Sequence, residues 1–419
     1  MKAQLLTIGD ELLIGQTTNT NASWLGDELS QMGVTMERTV TVGDDASAIQ
    51  AELDRAYRSA RLVIVTGGLG PTHDDLTREA VAEYFDAPLR SDDDIFARIR
   101  RYYERRDRQM PAAAEKLAQV PEGFDVLDNP VGAAVGLWYE DDDRLLAVLP
   151  GIPQEMKGIF RAALRPRLDA QADLQEVLHR TLVTSGIGES SLQERLGDLD
   201  SVLDAHTHLA YLPSTSGVRL RLTATTNGEP DAETRLDRLE AHIRERASEH
   251  VIGEGEVTLE EVLGDQLRGA GRTIASAESA TGGLIGHRLT GVSGSSDYYV
   301  GSVVAYANHV KQQVLGVDAD VIQTDGAVSE AVAVQMAEGV RRVLDTDVGI
   351  ATTGIAGPTG GTPEKPVGTV WIGYADGAQR RAVRRQFVED RTLNKELFAS
   401  AALDLVRREQ DRRVEARAT

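Results

Sequence analysis

The chain contains no cysteine, which excludes a disulfide framework, a thiolate metal site and a cysteine nucleophile, and gives no sign of export. Lysine is scarce, with six residues in a combined Lys+Arg total of 45, so arginine supplies nearly all the positive charge. None of the six follows a glycine, which removes the Walker phosphate loop, and no histidine pair has the H-E-x-x-H spacing of zinc hydrolases. No serine is flanked by glycine at both −2 and +2, and no complete G-x-G-x-x-G follows a strand. No apolar run approaches the roughly 18 residues needed to cross a bilayer, so a membrane partner is not expected. The start, Met1–Ile8, is apolar but broken by Gly9-Asp10-Glu11 before a signal-peptide core forms, and it reads as a first strand of a cytoplasmic protein. Acid is abundant: 66 Asp+Glu give a net charge of −21, a field that repels nucleic-acid backbone, so nucleic acid is not an expected partner. The runs Asp92-Asp93-Asp94 and Asp141-Asp142-Asp143 read as solvated loops.

A length of 419 residues is about three times a usual domain of roughly 100 to 200. Strand and helix patterns alternate over residues 1–170: a strand at Gln4–Ile8, helices at Asn21–Met32 and Ala46–Ser59, a strand at Arg61–Thr66, a hairpin near Val131–Val148, and a helix from about Pro153 to Leu168. This implies a parallel sheet covered by helices. Residues 171–252 read as a small α+β module, with Gly253–Glu256 as a linker. From 256 to 415 the alternation resumes, ending in a helix. The expected class is α/β, two three-layer α/β domains joined by a small α+β module.

Two loops fit T-G-x-x-G-P-T: Thr66-Gly67-Gly68-Leu69-Gly70-Pro71-Thr72 and Thr353-Gly354-Ile355-Ala356-Gly357-Pro358-Thr359. Each follows a buried-type strand, which predicts a position at the carboxyl edge of a sheet, where open α/β folds bind ligands. Glycines at such turns let backbone N–H groups face a phosphate. Asp74 and Asp75, directly after the first loop, point to a divalent cation held beside phosphates, unless they merely cap the following helix.

In the third segment a strand runs into Glu278-Ser279-Ala280-Thr281-Gly282-Gly283. A serine there is exposed at the sheet edge, and the N–H groups of Thr281, Gly282 and Gly283 offer an oxyanion or phosphate site. A second strand leads to Tyr306-Ala307-Asn308-His309-Val310-Lys311. Lysine serves as a base when desolvation lowers its pKa, which makes Lys311 the partner for Ser279; His309 ranks below it. Taken singly, each residue has an ordinary structural explanation, as helix cap, core-edge aromatic or solvated side chain.

These strings resemble the bacterial CinA family across nearly the whole chain. Ile8–Leu13, Thr66–Thr77, Asn129-Pro130-Val131-Gly132 and Leu149–Met156 look like its molybdopterin-binding-like domain. Ser185–Ser190 and Tyr211-Leu212-Pro213 resemble its KH-like module. Ala277–Gly283, Val304-Ala305-Tyr306, Thr353–Pro358 and Pro366–Val370 are similar to its nicotinamide mononucleotide (NMN) deamidase domain. One departure is that Ala280 stands where the family commonly has cysteine, so the nucleophilic role falls on Ser279.

The resemblance implies hydrolysis of NMN to nicotinate mononucleotide and ammonia, in pyridine nucleotide recycling. Ser279 would be the nucleophile and Lys311 the base, relayed through Tyr306, with the substrate phosphate against Thr353, Gly354 and Gly357 or the Gly282-Gly283 turn. No cofactor is expected at that site. For the first domain the resemblance implies an ADP-ribose pyrophosphatase using Mg²⁺, Mn²⁺ or Co²⁺. Gly67, Gly68, Gly70 and Thr72 would face the substrate, and Asp74, Asp75, Asp10 and Glu11 would lie by the metal, with Asp44 a weaker candidate. The expected partners are these nucleotides and a second copy of the chain in a homodimer. The competing expectations are a non-turnover pterin or nucleotide module in the first domain, and a competence-related nucleic-acid protein. The latter is disfavoured because Gly186-Ile187-Gly188-Glu189 breaks the G-x-x-G spacing of KH loops.

Overall fold

The computed structural model describes residues 1–141, 143–171, 177–226 and 230–418. Asp142 of the expected acidic loop, and residues 172–176 at the expected domain boundary, lie outside them. The chain forms two compact bodies, Met1–Leu178 and His179–Thr419.

In the first body, β1 (Lys2–Ile8), β2 (Thr35–Val42) and β3 (Leu62–Thr66) alternate with α1 (Asp10–Leu13), α2 (Thr20–Gln31) and α3 (Ala46–Ser59). Helices α2 and α3 start where Asn19 and Asp45 side chains accept the N–H groups of Ala22 and Ala48, each satisfying an orphan donor of the first turn. An excursion follows, made of α4 (Thr77–Tyr84), β4 (Leu89–Ser91), α5 (Asp93–Glu104) and β5 (Gln119–Pro121). The chain returns through β6 (Asp125–Leu127), β7 (Gly136–Asp141) and β8 (Arg144–Leu149) to α6 (Pro153–Ile159) and α7 (Arg165–Asp169). The sheet order is β2-β1-β3-β8-β7-β6. Strands β1, β2, β3 and β8 are parallel, whereas β7 runs antiparallel to both its neighbours, β8 and β6, so the sheet is mixed. The all-apolar run Leu62-Val63-Ile64-Val65 is buried throughout because helices cover both faces. Val63 and Val65 pack with Ile49 and Leu53 of α3, while Ile64 packs with Leu25, Leu29 and Phe160 on the other face, as the two-residue period of a strand requires.

The second body begins with a sheet of order β10-β11-β9-β12, built from β9 (Val177–Thr184), β10 (Thr207–Pro213), β11 (Val218–Thr225) and β12 (Val251–Glu254), with helices α8 (Glu189–Leu196) and α9 (Ala232–Ala247). It continues through α10 (Leu259–Gly269), β13 (Ile274–Glu278), α11 (Leu284–Thr290), β14 (Tyr299–Val304), α12 (Asn308–Gln313), α13 (Ala319–Asp325), α14 (Glu330–Val343), β15 (Val348–Gly354), β16 (Thr369–Ala375), β17 (Arg380–Gln386) and α15 (Arg391–Ala418). The order here is β14-β13-β15-β16-β17, parallel across the first three and antiparallel beyond. Apolar clusters lie on both faces, the three-layer α/β arrangement.

Two sequence expectations need correction, and one strand was not anticipated. Gly253 and Glu254 belong to β12, which pairs with β9, and are not linker. Asp92-Asp93-Asp94 is a helix start: the Asp92 carboxylate accepts the N–H groups of Asp94 and Ile95. The arginine-rich Arg380–Gln386 is an edge strand. No helix among the described residues is long and apolar enough to cross a membrane.

Helix α14 lies directly on the sheet because glycine replaces side chains beneath it. A Cβ on Gly349 would sit 2.0 Å from the Ala337 carbonyl oxygen, and one on Gly373 2.0 Å from that of Ala333. Gly373→Ala is therefore expected to destabilise this body by about 3 kcal/mol, read as a lower chemical-denaturation midpoint; an unchanged midpoint would contradict the packing.

Candidate functional site

Parallel strands deliver their carboxyl ends to one edge of each large sheet, and each edge holds a cavity. In the first body the cavity measures about 710 Å³ and is lined by Glu11, Asp44, Gly67, Gly68, Gly70, Asp74 and Asp75, among others. Gly67 has φ +113°, and a Cβ there would lie 2.2 Å from the Ile8 carbonyl oxygen, so the turn closes against β1 only with glycine. Asp75 holds the turn: one carboxylate oxygen accepts the Gly70 N–H at 2.8 Å and the other the Thr72 N–H at 2.8 Å. Both oxygens thus serve the loop, as does Thr72. Asp10 does not line the cavity; it exchanges hydrogen bonds with Asp44, each backbone N–H donating to the other's carboxylate. Asp74 is exposed and lies 3.8 Å from His73.

The Asp44 carboxyl is pushed above its usual value, chiefly by burial and then by the charges of Asp10, Glu11 and Asp74, against the Asp10 N–H bond that lowers it. Mutually repelling carboxylates inside a cavity fit a divalent cation. Among the described residues no three acidic or histidine side chains already converge as a ligand set. Such ions commonly take one or two carboxylates and draw their remaining oxygens from phosphates and water, so Asp44, Asp74 and Glu11 fit the group and Asp75 does not. Sequence reasoning missed Asn21 and Glu155. Asn21 donates to the Gly151 carbonyl at 2.7 Å, leaves Oδ1 buried without a partner and lines the cavity. Glu155, also lining, accepts the Asn129 amide at 2.8 Å, and burial raises its pKa.

In the second body Ser279, Tyr306, Lys311, Thr353 and Gly354 come together around a cavity of about 200 Å³. They arrive from the ends of β13, β14 and β15. The Lys311 residue is 2% exposed, its pKa is lowered by burial, and its Nζ donates to the Tyr306 main-chain oxygen at 3.2 Å. Tyr306 is 62% exposed, and its phenol accepts a bond from Arg391 Nη2 at 3.1 Å, another residue of the cavity wall. His309 is exposed and does not line the cavity. Ser279, expected to be exposed, is buried at 8% exposure and meets the cavity from the sheet edge; its N–H donates to the Thr352 carbonyl, and among the described residues no hydrogen bond engages its hydroxyl. The Thr353 hydroxyl donates to the Ala327 carbonyl at 2.6 Å, so it braces the loop.

The glycine turn differs from the sequence expectation. Gly283 N–H donates to Glu278 Oε2 at 2.9 Å and is therefore already engaged. Thr281 is fully buried, its hydroxyl paired with that of Thr352 at 2.8 Å. Thr281, Gly282 and Gly283 do not line the cavity, whereas Ala280 does. Gly357 also stands outside the lining, and its carbonyl accepts Arg391 Nη1 at 2.7 Å. Sequence reasoning missed Arg391, which lines the cavity and lies far along the chain from any motif.

The small module's Gly186 turn is exposed. A Cβ on Gly186 would lie 2.1 Å from Asp404 Oδ2 of α15, so an acid stands beside the turn, where its charge disfavours a nucleic-acid backbone.

Three family models match the chain in order: a probable molybdopterin binding domain over residues 4–170, the damage-inducible protein CinA KH domain over 179–253, and the CinA C-terminal domain over 256–410. A CinA-like protein of Salinibacter ruber is 70% identical over 97% of this chain and 99% of its own length. One from Gemmatimonas aurantiaca is 43% identical over 97% and 96%. The solved CinA protein of Thermoplasma acidophilum, described as of unknown function, shares 34% identity over 39% of this chain and 96% of its own, with a TM-score of 0.37. With a relative of such identity running its full length, the chain belongs to the CinA-like family.

Proposed function

We propose that the C-terminal domain is an amidohydrolase that converts NMN to nicotinate mononucleotide and ammonia. The observation that carries this reading is the cavity shared by Ser279 and a buried lysine; the substrate is the one the family resemblance implies. Burial favours the neutral amine of Lys311 over the ammonium, and a neutral amine accepts the Ser279 proton as the hydroxyl attacks the carboxamide carbon. The Ala280 N–H, directly after the nucleophile and beside the cavity, suits the developing oxyanion. The protonated Lys311 then delivers its proton to the leaving ammonia, and water releases the acid from the Ser279 ester. Because the Tyr306 phenol faces Arg391, proton transfer is written directly between Ser279 and Lys311. At about 200 Å³ the cavity is smaller than the roughly 300–1,000 Å³ of whole-ligand pockets. It suits the carboxamide ring, with Arg391 at its wall offering a planar donor fork to the phosphate.

We also propose that the first body cleaves ADP-ribose at its pyrophosphate, with one or two of Asp44, Asp74 and Glu11 holding a divalent cation such as Mg²⁺, Mn²⁺ or Co²⁺. When bound, such an ion polarises a phosphoryl oxygen and lowers the pKa of a bound water. The Gly67–Gly70 turn, kept in shape by Asp75, offers backbone to the phosphates. A cytoplasmic homodimer is the setting this reading takes over from the composition and domain arrangement of the sequence.

Ser279→Ala should lower NMN turnover by about 10⁴-fold or more, measured as ammonia release; near-full activity would overturn the assignment. For the wild type, kcat/KM should rise with pH as Lys311 loses its proton, through an ionisation below the ordinary lysine value of about 10.4. Lys311→Arg should abolish that rise. Chelation, or Asp44→Asn with Asp74→Asn, should suppress AMP release from ADP-ribose about 100-fold or more and leave ammonia release from NMN unchanged. Loss of both activities together would contradict separate sites.

A further inference from the structure

We infer that Glu278, the residue before the proposed nucleophile, is a positioning residue that shapes the oxyanion site while touching no substrate. The inference rests on the amidohydrolase reading and adds to it a residue that neither motif nor cavity singles out. Glu278 is fully buried. Its carboxylate folds over the first turn of α11 and accepts three backbone N–H groups: Gly283 at 2.9 Å and Ile285 at 3.0 Å on Oε2, Gly286 at 2.9 Å on Oε1. The Ser276 hydroxyl donates to Oε1 at 3.2 Å. Ser276 also meets the Tyr299 phenol at 3.2 Å, which meets the Ser302 hydroxyl at 2.7 Å. The carboxylate is thus the inner end of a hydrogen-bonded chain running from the turn to the exposed side of β14.

A helix N-terminus presents several unpaired N–H groups to whatever anion approaches. Here Glu278 takes three of them. Among the described residues the N–H groups of Ala280, Thr281 and Gly282 have no hydrogen-bond partner, and of these three only Ala280 lines the cavity. The internal carboxylate therefore stops the helix from acting as a general phosphate site and leaves one donor beside Ser279. By tying Gly283 back to the strand end, it also bends the Ser279–Gly282 segment out of β13, which brings the hydroxyl to the same cavity as Lys311. Four donors satisfy the two oxygens of this buried side chain, as a buried polar group requires.

The test uses the full-length protein with Glu278→Gln, which keeps the shape but removes the charge and one acceptor. Two readouts are taken: kcat and KM for NMN, and the rate at which a fluorophosphonate probe phosphonylates Ser279, with fluoride leaving. The probe needs no NMN, so it remains informative if the wild type proves inactive on that nucleotide. The expected result is a fall of about 100-fold in both kcat and probe labelling, in the range of a lost oxyanion donor, with KM within about threefold. Labelling at the wild-type rate would overturn the inference, as would a raised KM with kcat unchanged. Should Glu278→Gln fail to fold by circular dichroism, Ser276→Ala takes its place. It removes one donor to the carboxylate and should lower labelling about fivefold; wild-type labelling in that variant would overturn the inference equally.

Discussion

The second body depends on one enclosed amine. Lys311 sits at 2% exposure on the short helix α12, and its Nζ donates to a main-chain oxygen, that of Tyr306. An ammonium held there loses hydration worth several kcal/mol, which lowers the Lys311 pKa and shifts the balance toward the uncharged form, which alone can take a proton from a serine. The rest of the site follows from keeping that amine dry and the hydroxyl near it. Strand β13 ends one residue before Ser279, β14 ends two residues before Tyr306, and Thr353 at the end of β15 braces the loop Ala327 belongs to.

The two T-G-x-x-G-P-T loops set one string in two different surroundings. Both occupy the carboxyl edge of a sheet, and in both the first threonine hydroxyl is buried and donates to a neighbouring loop carbonyl, Thr66 to Pro150 and Thr353 to Ala327. In both, the first glycine permits a close backbone approach, Gly67 to Ile8 and Gly354 to Thr369. The residue that secures the turn differs in sign. Asp75 holds the first loop through its N–H groups, whereas Arg391 holds the second through the Gly357 carbonyl. The first turn thus sits among carboxylates and the second beside a guanidinium, and this difference is what the two proposed reactions rest on.

Much of this was legible in the sequence because it is written in strong local signals. Apolar strands such as Leu62–Val65 and glycine-rich turns at their ends identify sheet edges, and Ser279, Tyr306 and Lys311 each follow such a strand. What escaped depends on contacts between distant residues. Arg391 stands 85 positions from the phenol it bonds and opens a helix without any glycine signature. Glu278 reads as an ordinary polar strand end until the fold reveals three N–H groups converging on it. The Arg380–Gln386 strand lacks apolar alternation because arginine stems cover an edge that needs no fully buried face. Asp75 looks like a ligand on the page, yet its two oxygens belong to its own turn.

The most direct test is the ionisation of Lys311 itself. With only six lysines in the chain, labelling their ε-carbons gives a spectrum simple enough to titrate by NMR, the Lys311 signal being the one that Lys311→Arg removes. The account predicts that this signal titrates below the ordinary lysine value of about 10.4 while exposed lysines stay near it. Titration of Lys311 at or above that value would contradict a neutral base beside Ser279.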